Sequence, residues 1–250
     1  MLRFVLRRPT VALSLTAALA CLPSERRTTS GAASNAAGGD DPASADPLTD
    51  TSTVLSRVFT DDFERAEVGP AYATRSSSFA LDRGRLCVKG ARNRPLWLKR
   101  RLPRDVSVEV EASTPEPDGD IKLELFGNGT SSATSATYDN ASGYVAIFGG
   151  WKNRFHVLAR LDEHARDRAE LEVNANSDDP RQAPVVPNRR YRLKLERSDG
   201  KTVRFWVDDL ELLSFTDPEP LVGPGHEYLA FGNWLTRVCF DNLRVTPLAD

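Results

Sequence analysis

Histidine, cysteine and methionine are scarce in this sequence: 250 residues include three His, three Cys and one Met. His156, His164 and His226 show no zinc spacing. In "DEH" at 162–164, neighbouring strand residues would point apart, so one metal could not hold all three and transition-metal catalysis is set aside. Charge of one sign is also missing, since 33 Lys and Arg against 35 Asp and Glu leave a formal net charge of -2. Without a basic run there is no footprint for nucleic acid. No Gly-x-Ser-x-Gly elbow and no phosphate loop occurs, and no nucleotide, flavin or haem is implied. Helix is sparse too. Only "DEHARDRAEL" at 162–171 tolerates one, and it is too short and charged to anchor a helical domain.

What is present divides the chain into three parts. Arg3, Arg7 and Arg8 precede the apolar run "VALSLTAALA", which is too short to span a bilayer comfortably, so residues 1–21 read as an export signal. Its end has two readings. Ala18-Leu19-Ala20 fits an ordinary small-x-small cleavage site, whereas "ALAC" resembles a bacterial lipobox that would place lipid on Cys21. The lipid anchor is preferred, with a periplasmic or secreted protein as the alternative. Residues 22–54, rich in Ser, Thr, Ala, Gly, Asp and Pro, read as a disordered tether. Lipidation of Cys21 would leave Cys87 and Cys239 as an even pair in an oxidising compartment. A disulfide and two buried free thiols both remain open for them.

Residues 55–250 read as one all-β domain. "RDVSVEVEAS" sets Val106, Val108 and Val110 on one face and Ser107, Glu109 and Glu111 on the other. Hairpins are legible at Gly84, at Asp199-Gly200 and at Asp208-Asp209, and a longer one has its tip at residues 149–153. About a dozen such strands suit a two-sheet antiparallel jelly-roll sandwich. Trp97 and Trp206 lie in alternating strands and are assigned to packing.

"FTDDFER", "YRLKLERSDGKTVRFWVDDLELLSFTDPEPLVG" and "RVCFDNLRV" together resemble the concanavalin A-like (laminin G-like) superfamily. They are particularly similar to bacterial extracellular 3-keto-disaccharide hydrolase-like and laminin G-like domains. The resemblance implies that the first and last strands pair, bringing Asp61 or Asp62 near Asp241 and Asn242, with Asp62 and Asp241 as the candidate ligands. It also raises a structural calcium there, for which oxygen ligands would be suited; the alternative, and the preferred one, is that both carboxylates satisfy turn amides. The superfamily contains lectins, glycoside hydrolases, lyases and adhesion modules, so fold alone leaves the activity open.

In "DGDIKLELFG", Asp118, Asp120, Lys122 and Glu124 alternate with Ile121, Leu123 and Leu125. The row resembles the Glu-x-Asp-x-Glu strand of family 16 glycoside hydrolases, where two carboxylates on one face act as nucleophile and acid/base. Lys122 interrupts it. An ammonium between Asp120 and Glu124 would lower both pKa values and oppose the raised pKa that a general acid requires. The row therefore reads first as a solvated, salt-bridged face. A glycoside hydrolase or lyase using Asp120 and Glu124, with His156 assisting, is the alternative. Non-catalytic carbohydrate binding is preferred, with a glycan or related envelope polymer as partner and a monomeric domain. Its expected contacts are Trp151 and Asn153 at a hairpin tip, Arg160 and Asp162 on the next strand, and Asn233 and Trp234 at a bend. A structural or protein-interaction domain of the envelope is the third reading. "GNGTSSATSA" at 127–136 reads as a flexible rim.

Overall fold

The computed structural model describes residues 53–249. The leader, Cys21 and nearly all of the expected tether lie outside the described residues. Five short strands come first: β1 (Phe59–Asp61), β2 (Tyr72–Thr74), β3 (Phe79–Leu81), β4 (Leu86–Lys89) and β5 (Leu96–Leu98). β6 (Val106–Ser113), β7 (Ile121–Gly127), β8 (Tyr144–Gly149), β9 (Phe155–Arg160) and β10 (Ala169–Glu172) follow. β11 (Tyr191–Arg197), β12 (Thr202–Val207), β13 (Leu210–Thr216), β14 (Tyr228–Gly232) and β15 (Arg237–Pro247) complete the order.

The strands form two antiparallel sheets. One runs β13-β12-β11-β6-β15-β4-β3, with β1 also paired to β15, and the other runs β10-β9-β8-β7-β14-β5-β2. This is a jelly-roll sandwich, and its core follows from strand periodicity. Val106, Val108 and Val110 of β6 pack inward with Leu193 and Leu195 of β11. Facing them from the second sheet are Ile121, Leu123 and Leu125 of β7 and Leu229 and Phe231 of β14. Between β12 and β13, Asp208 and Asp209 both adopt left-handed backbone, with φ of 50° and 69°. That conformation gives the tight hairpin its twist.

The first and last strands of the described residues pair as the resemblance implied, Phe59 with Val245 and Asp61 with Leu243. Cys87 lies opposite Cys239 across β4 and β15, and the two are joined in a disulfide spanning 152 residues. A cross-link closing so long a loop typically contributes about 2–5 kcal/mol to a secreted domain. Residues 162–171, the one helix-tolerant stretch, form turns and then β10, an edge strand paired to β9 through Ala169 and Leu158. Trp97 is buried on the outer face of its sheet with Tyr228 and Ala230. Trp206 lies outside the core, with the Lys194 ammonium 3.9 Å from its ring centroid.

β7 sits in the middle of the second sheet between β8 and β14. Ile121 pairs with Phe148 near the end of β8, and Lys122 with Gly232 at the end of β14. The β8–β9 turn and the loop after β14 therefore both arrive at the start of β7, and the candidate site forms there.

Candidate functional site

Core-facing Ile121, Leu123 and Leu125 place Asp120, Lys122 and Glu124 on the opposite side of the sheet. The expected wet face is not wet. Lys122 is 4% exposed, Glu124 3% and Asp120 9%. The reason is a roof. In the segment connecting β7 to β8, Ala133, Tyr138 and Ala141 pack on Val145 and Ile147 of β8 and on Val157 and Ala159 of β9. What reads in the sequence as a flexible Ser/Thr rim is thus a cover held by apolar contacts.

Each charge in the row has a separate task. Glu124 accepts the Tyr138 hydroxyl, the Ser142 amide and hydroxyl, and the Gly143 amide, at 2.5–3.1 Å. It fastens the roof to the sheet. Lys122 donates to Asn93 Oδ1 at 2.5 Å and to Glu163 Oε2 at 2.6 Å. Glu163, itself 4% exposed, also accepts from Asn93 Nδ2 at 2.9 Å and from the Tyr138 amide at 3.2 Å. Asp120 accepts the Trp234 amide through Oδ2, and among the described residues Oδ1 accepts no hydrogen bond. Burial raises the pKa of Asp120 and of Glu124. The expected lowering by Lys122 acts on Asp120 but is outweighed by that desolvation.

Beside the start of β7 lies a cavity of about 490 Å³. Asp120, Lys122, Glu163 and Asn93 contribute its polar floor. Trp151 and His164 line one side, and Trp234 and Leu235 line another. Trp151 and Trp234 thus border one cavity beside Asp120 and Lys122, while Glu124 does not line it.

The turn carrying Trp151 is unusual in its backbone. Trp151, Lys152 and Asn153 are consecutive non-glycine residues in the left-handed region, with φ of 51°, 62° and 59°. Such conformations persist where surrounding bonds over-determine them. Asn153 supplies those bonds: its amide donates to the Pro117 and Val185 carbonyls and accepts from the Val185 amide. The turn can approach β7 because Gly119 has no side chain. A Cβ there would lie 2.4 Å from the Gly149 carbonyl oxygen. Trp151 is further fixed by Arg168, whose guanidinium lies 4.7 Å from the ring centroid, and by an edge contact with His164 at 5.4 Å.

The other expected site residues are placed differently. Glu124 lies under the roof and outside this cavity. His156 faces the sandwich core, stacked on Phe148 at 4.7 Å, so the sheet separates it from Asp120 and it cannot assist there. Arg160 is on the same inner face at the far end of β9, where it donates to Asp217 at 2.7 Å and to the Glu219 carbonyl. The Asp162 carboxylate accepts the His164 amide in a turn. Asn153 and Asn233 both spend their side chains on backbone, Asn233 accepting the Ala91 amide and donating to the Thr236 carbonyl. Asp62 accepts the Glu64 amide and Asp241 the Asn242 amide. Among the described residues no group of three metal-ligating side chains comes together.

Asn93, Glu163 and Tyr138 were not singled out by sequence reasoning. A signal for Glu163 existed: a lysine on a strand face between two carboxylates needs a partner if that face is covered, and "DEH" supplies one.

Neither a protein family nor a curated protein matches the sequence. Solved structures do match the architecture. The carbohydrate-binding module CBM66 from Bacillus subtilis superposes with a TM-score of 0.51 at 16% identity, over 70% of this chain and 95% of that one. A Bacillus licheniformis β-glucanase gives 0.52 at 10% identity, over 76% and 98%. The Emp47p carbohydrate recognition domain gives 0.52 at 13% identity, over 79% and 100%. The likeness is one of fold. The same two-sheet jelly-roll architecture is thus found in binding domains and in a glucanase.

Burial lowers the His156 pKa from 6.5 to about 4, while Nδ1 accepts the Gly149 amide and Nε2 contacts the Ala183 carbonyl at 3.1 Å. As pH falls through 6.5 the unfolded chain takes up a proton that the native ring refuses, so stability decreases down to about pH 4. Thermal unfolding between pH 4.5 and 7.5 should show a slope steeper by up to about one proton than in His156→Gln. Parallel slopes would remove His156 as the cause.

Proposed function

We propose that this protein is a non-catalytic, lectin-like carbohydrate-binding module, and that its ligand occupies the cavity between Trp151 and Trp234. The observation that carries this reading is the combination of two indoles with hydrogen-bonding groups already oriented at the cavity floor. Pyranose rings present apolar faces to aromatic planes, and their hydroxyls need fixed acceptors and donors. Asp120 Oδ1 supplies a free acceptor. Lys122 uses two of its three N–H groups on Asn93 and Glu163 and retains a third. Solved structures of the same fold, among them a carbohydrate-binding module and a carbohydrate recognition domain, support the choice of ligand class.

A glycoside hydrolase is the second reading, favoured by Asp120, whose carboxyl opens on the cavity with its pKa raised by burial. A retaining or inverting site needs a second carboxylate free to act. Glu163 is committed to Lys122 and Asn93, and Glu124 to the roof. Binding without turnover is therefore preferred.

We further propose that the protein is exported and held at the bacterial envelope by lipid on Cys21, from the leader and the "ALAC" sequence. Cys21→Ala should move it from membranes to the soluble fraction; a wild-type protein already soluble would sink the anchor.

Binding is tested by native electrophoresis through gels cast with soluble polysaccharides. Wild type should be retarded without a cleared track, and Trp151→Ala or Trp234→Ala should weaken retention about tenfold, with Tm changing by only a few degrees. A cleared track that Asp120→Asn abolishes would establish the hydrolase instead. Retention unaffected by either tryptophan substitution would move the ligand away from this cavity.

A further inference from the structure

The cavity carries more charge at its mouth than a neutral sugar would use. Lys152 and Arg154 are exposed, line the cavity, and make no ion pair among the described residues, the Arg154 guanidinium lying 5.2 Å from the Phe155 ring centroid. Other cations near the cavity are engaged: Arg168 is bound to Glu170 and to the Glu163 carbonyl, and the exposed Arg92 guanidinium lies 5.8 Å from the Trp234 ring centroid. Lys152 and Arg154 flank Asn153, whose three backbone bonds fix the left-handed turn, so the main chain that carries both cations is held in place before a ligand arrives. Asp118 is the one exposed carboxylate among the lining residues, and it belongs to the approach to β7. The two exposed cations thus enter together on the β8–β9 turn, beside the carboxylates Asp118 and Asp120 at the start of β7.

Resting on the glycan-binding reading above, we propose that the ligand is an acidic glycan whose sugar carries an anionic group. Its hydroxyls meet Asp120 Oδ1 and the remaining Lys122 N–H at the floor, and its anion lies toward Lys152 and Arg154. A guanidinium fork and an ammonium suit a carboxylate or a sulfate equally, the shared feature being a localised negative charge with several acceptor oxygens.

The test pairs each acidic polymer with its neutral counterpart in affinity electrophoresis of the whole protein: polygalacturonate beside its carboxyl-reduced form, and dextran sulfate beside dextran. An acidic member should be retained about tenfold more strongly at low ionic strength, with the advantage shrinking in added salt. The first pair answers for carboxylate and the second for sulfate. The Lys152→Ala/Arg154→Ala double variant should close the gap between acidic and neutral members. Both positions are exposed, so its folding should match wild type. Equal retention of acidic and neutral members in both pairs by wild type would overturn the acidic-ligand inference and leave glycan binding standing. A persistent gap in the double variant would overturn the role of the two cations. No retention of any of the four polymers would count against the glycan reading itself, and the inference would fall with it.

Discussion

The buried contact between Lys122 and Glu163 is the constraint around which the functional face is arranged. An ammonium removed from water is strongly unfavourable unless ionic and hydrogen-bonding partners surround it. Lys122 finds them in two segments distant in sequence, Asn93 before β5 and Glu163 after β9. Glu163 also receives the Tyr138 amide, which draws the β7–β8 connection into the same network. Tyr138 in turn donates to Glu124, so a second clamp fixes the roof farther along β7. Three connecting segments are thereby held against one central strand.

That arrangement changes what the charged row does. On an open sheet, Asp120 and Glu124 would share one solvated face and invite comparison with a carboxylate pair. Here Glu124 is enclosed, Glu163 is held by Lys122 and Asn93, and Asp120 is the buried carboxylate of the row that lines the cavity with acceptor capacity remaining. The roof also ends where the cavity begins, at the start of β7. Trp151 and Trp234 arrive there from the turns on either side, and Asn153 holds the first turn in its left-handed form. Binding geometry is set before a ligand appears, which lowers the ordering cost of association.

Much of the sandwich was legible because each sheet presents one face to a common core. Val106, Val108 and Val110 declare that face by alternation, and Gly84 and Asp208-Asp209 mark hairpin turns. The convergence of Trp151 and Trp234 was also within reach, since both follow strands that flank β7. The roof was not. Its segment is mostly Ser, Thr, Asn and Gly, and the three residues that anchor it, Ala133, Tyr138 and Ala141, form no periodic pattern. Alternation shows which residues share a face but not whether something covers it. The same ambiguity misplaced His156: β9 has apolar residues of both parities, Val157 and Ala159 outward and Leu158 inward, so the pattern could not tell core from roof.

A double-mutant cycle on Lys122 and Glu163 measures the central constraint directly. Unfolding by denaturant of Lys122→Met, Glu163→Gln and the double variant gives the coupling between them. Removing one partner of a buried pair leaves an uncompensated group and costs about 3–5 kcal/mol. The account predicts that the double variant is far less destabilised than the sum of the single ones, with a coupling above about 1.5 kcal/mol. Effects that add to within about 0.5 kcal/mol would contradict it, because the two residues would then not be acting as one unit beneath the roof.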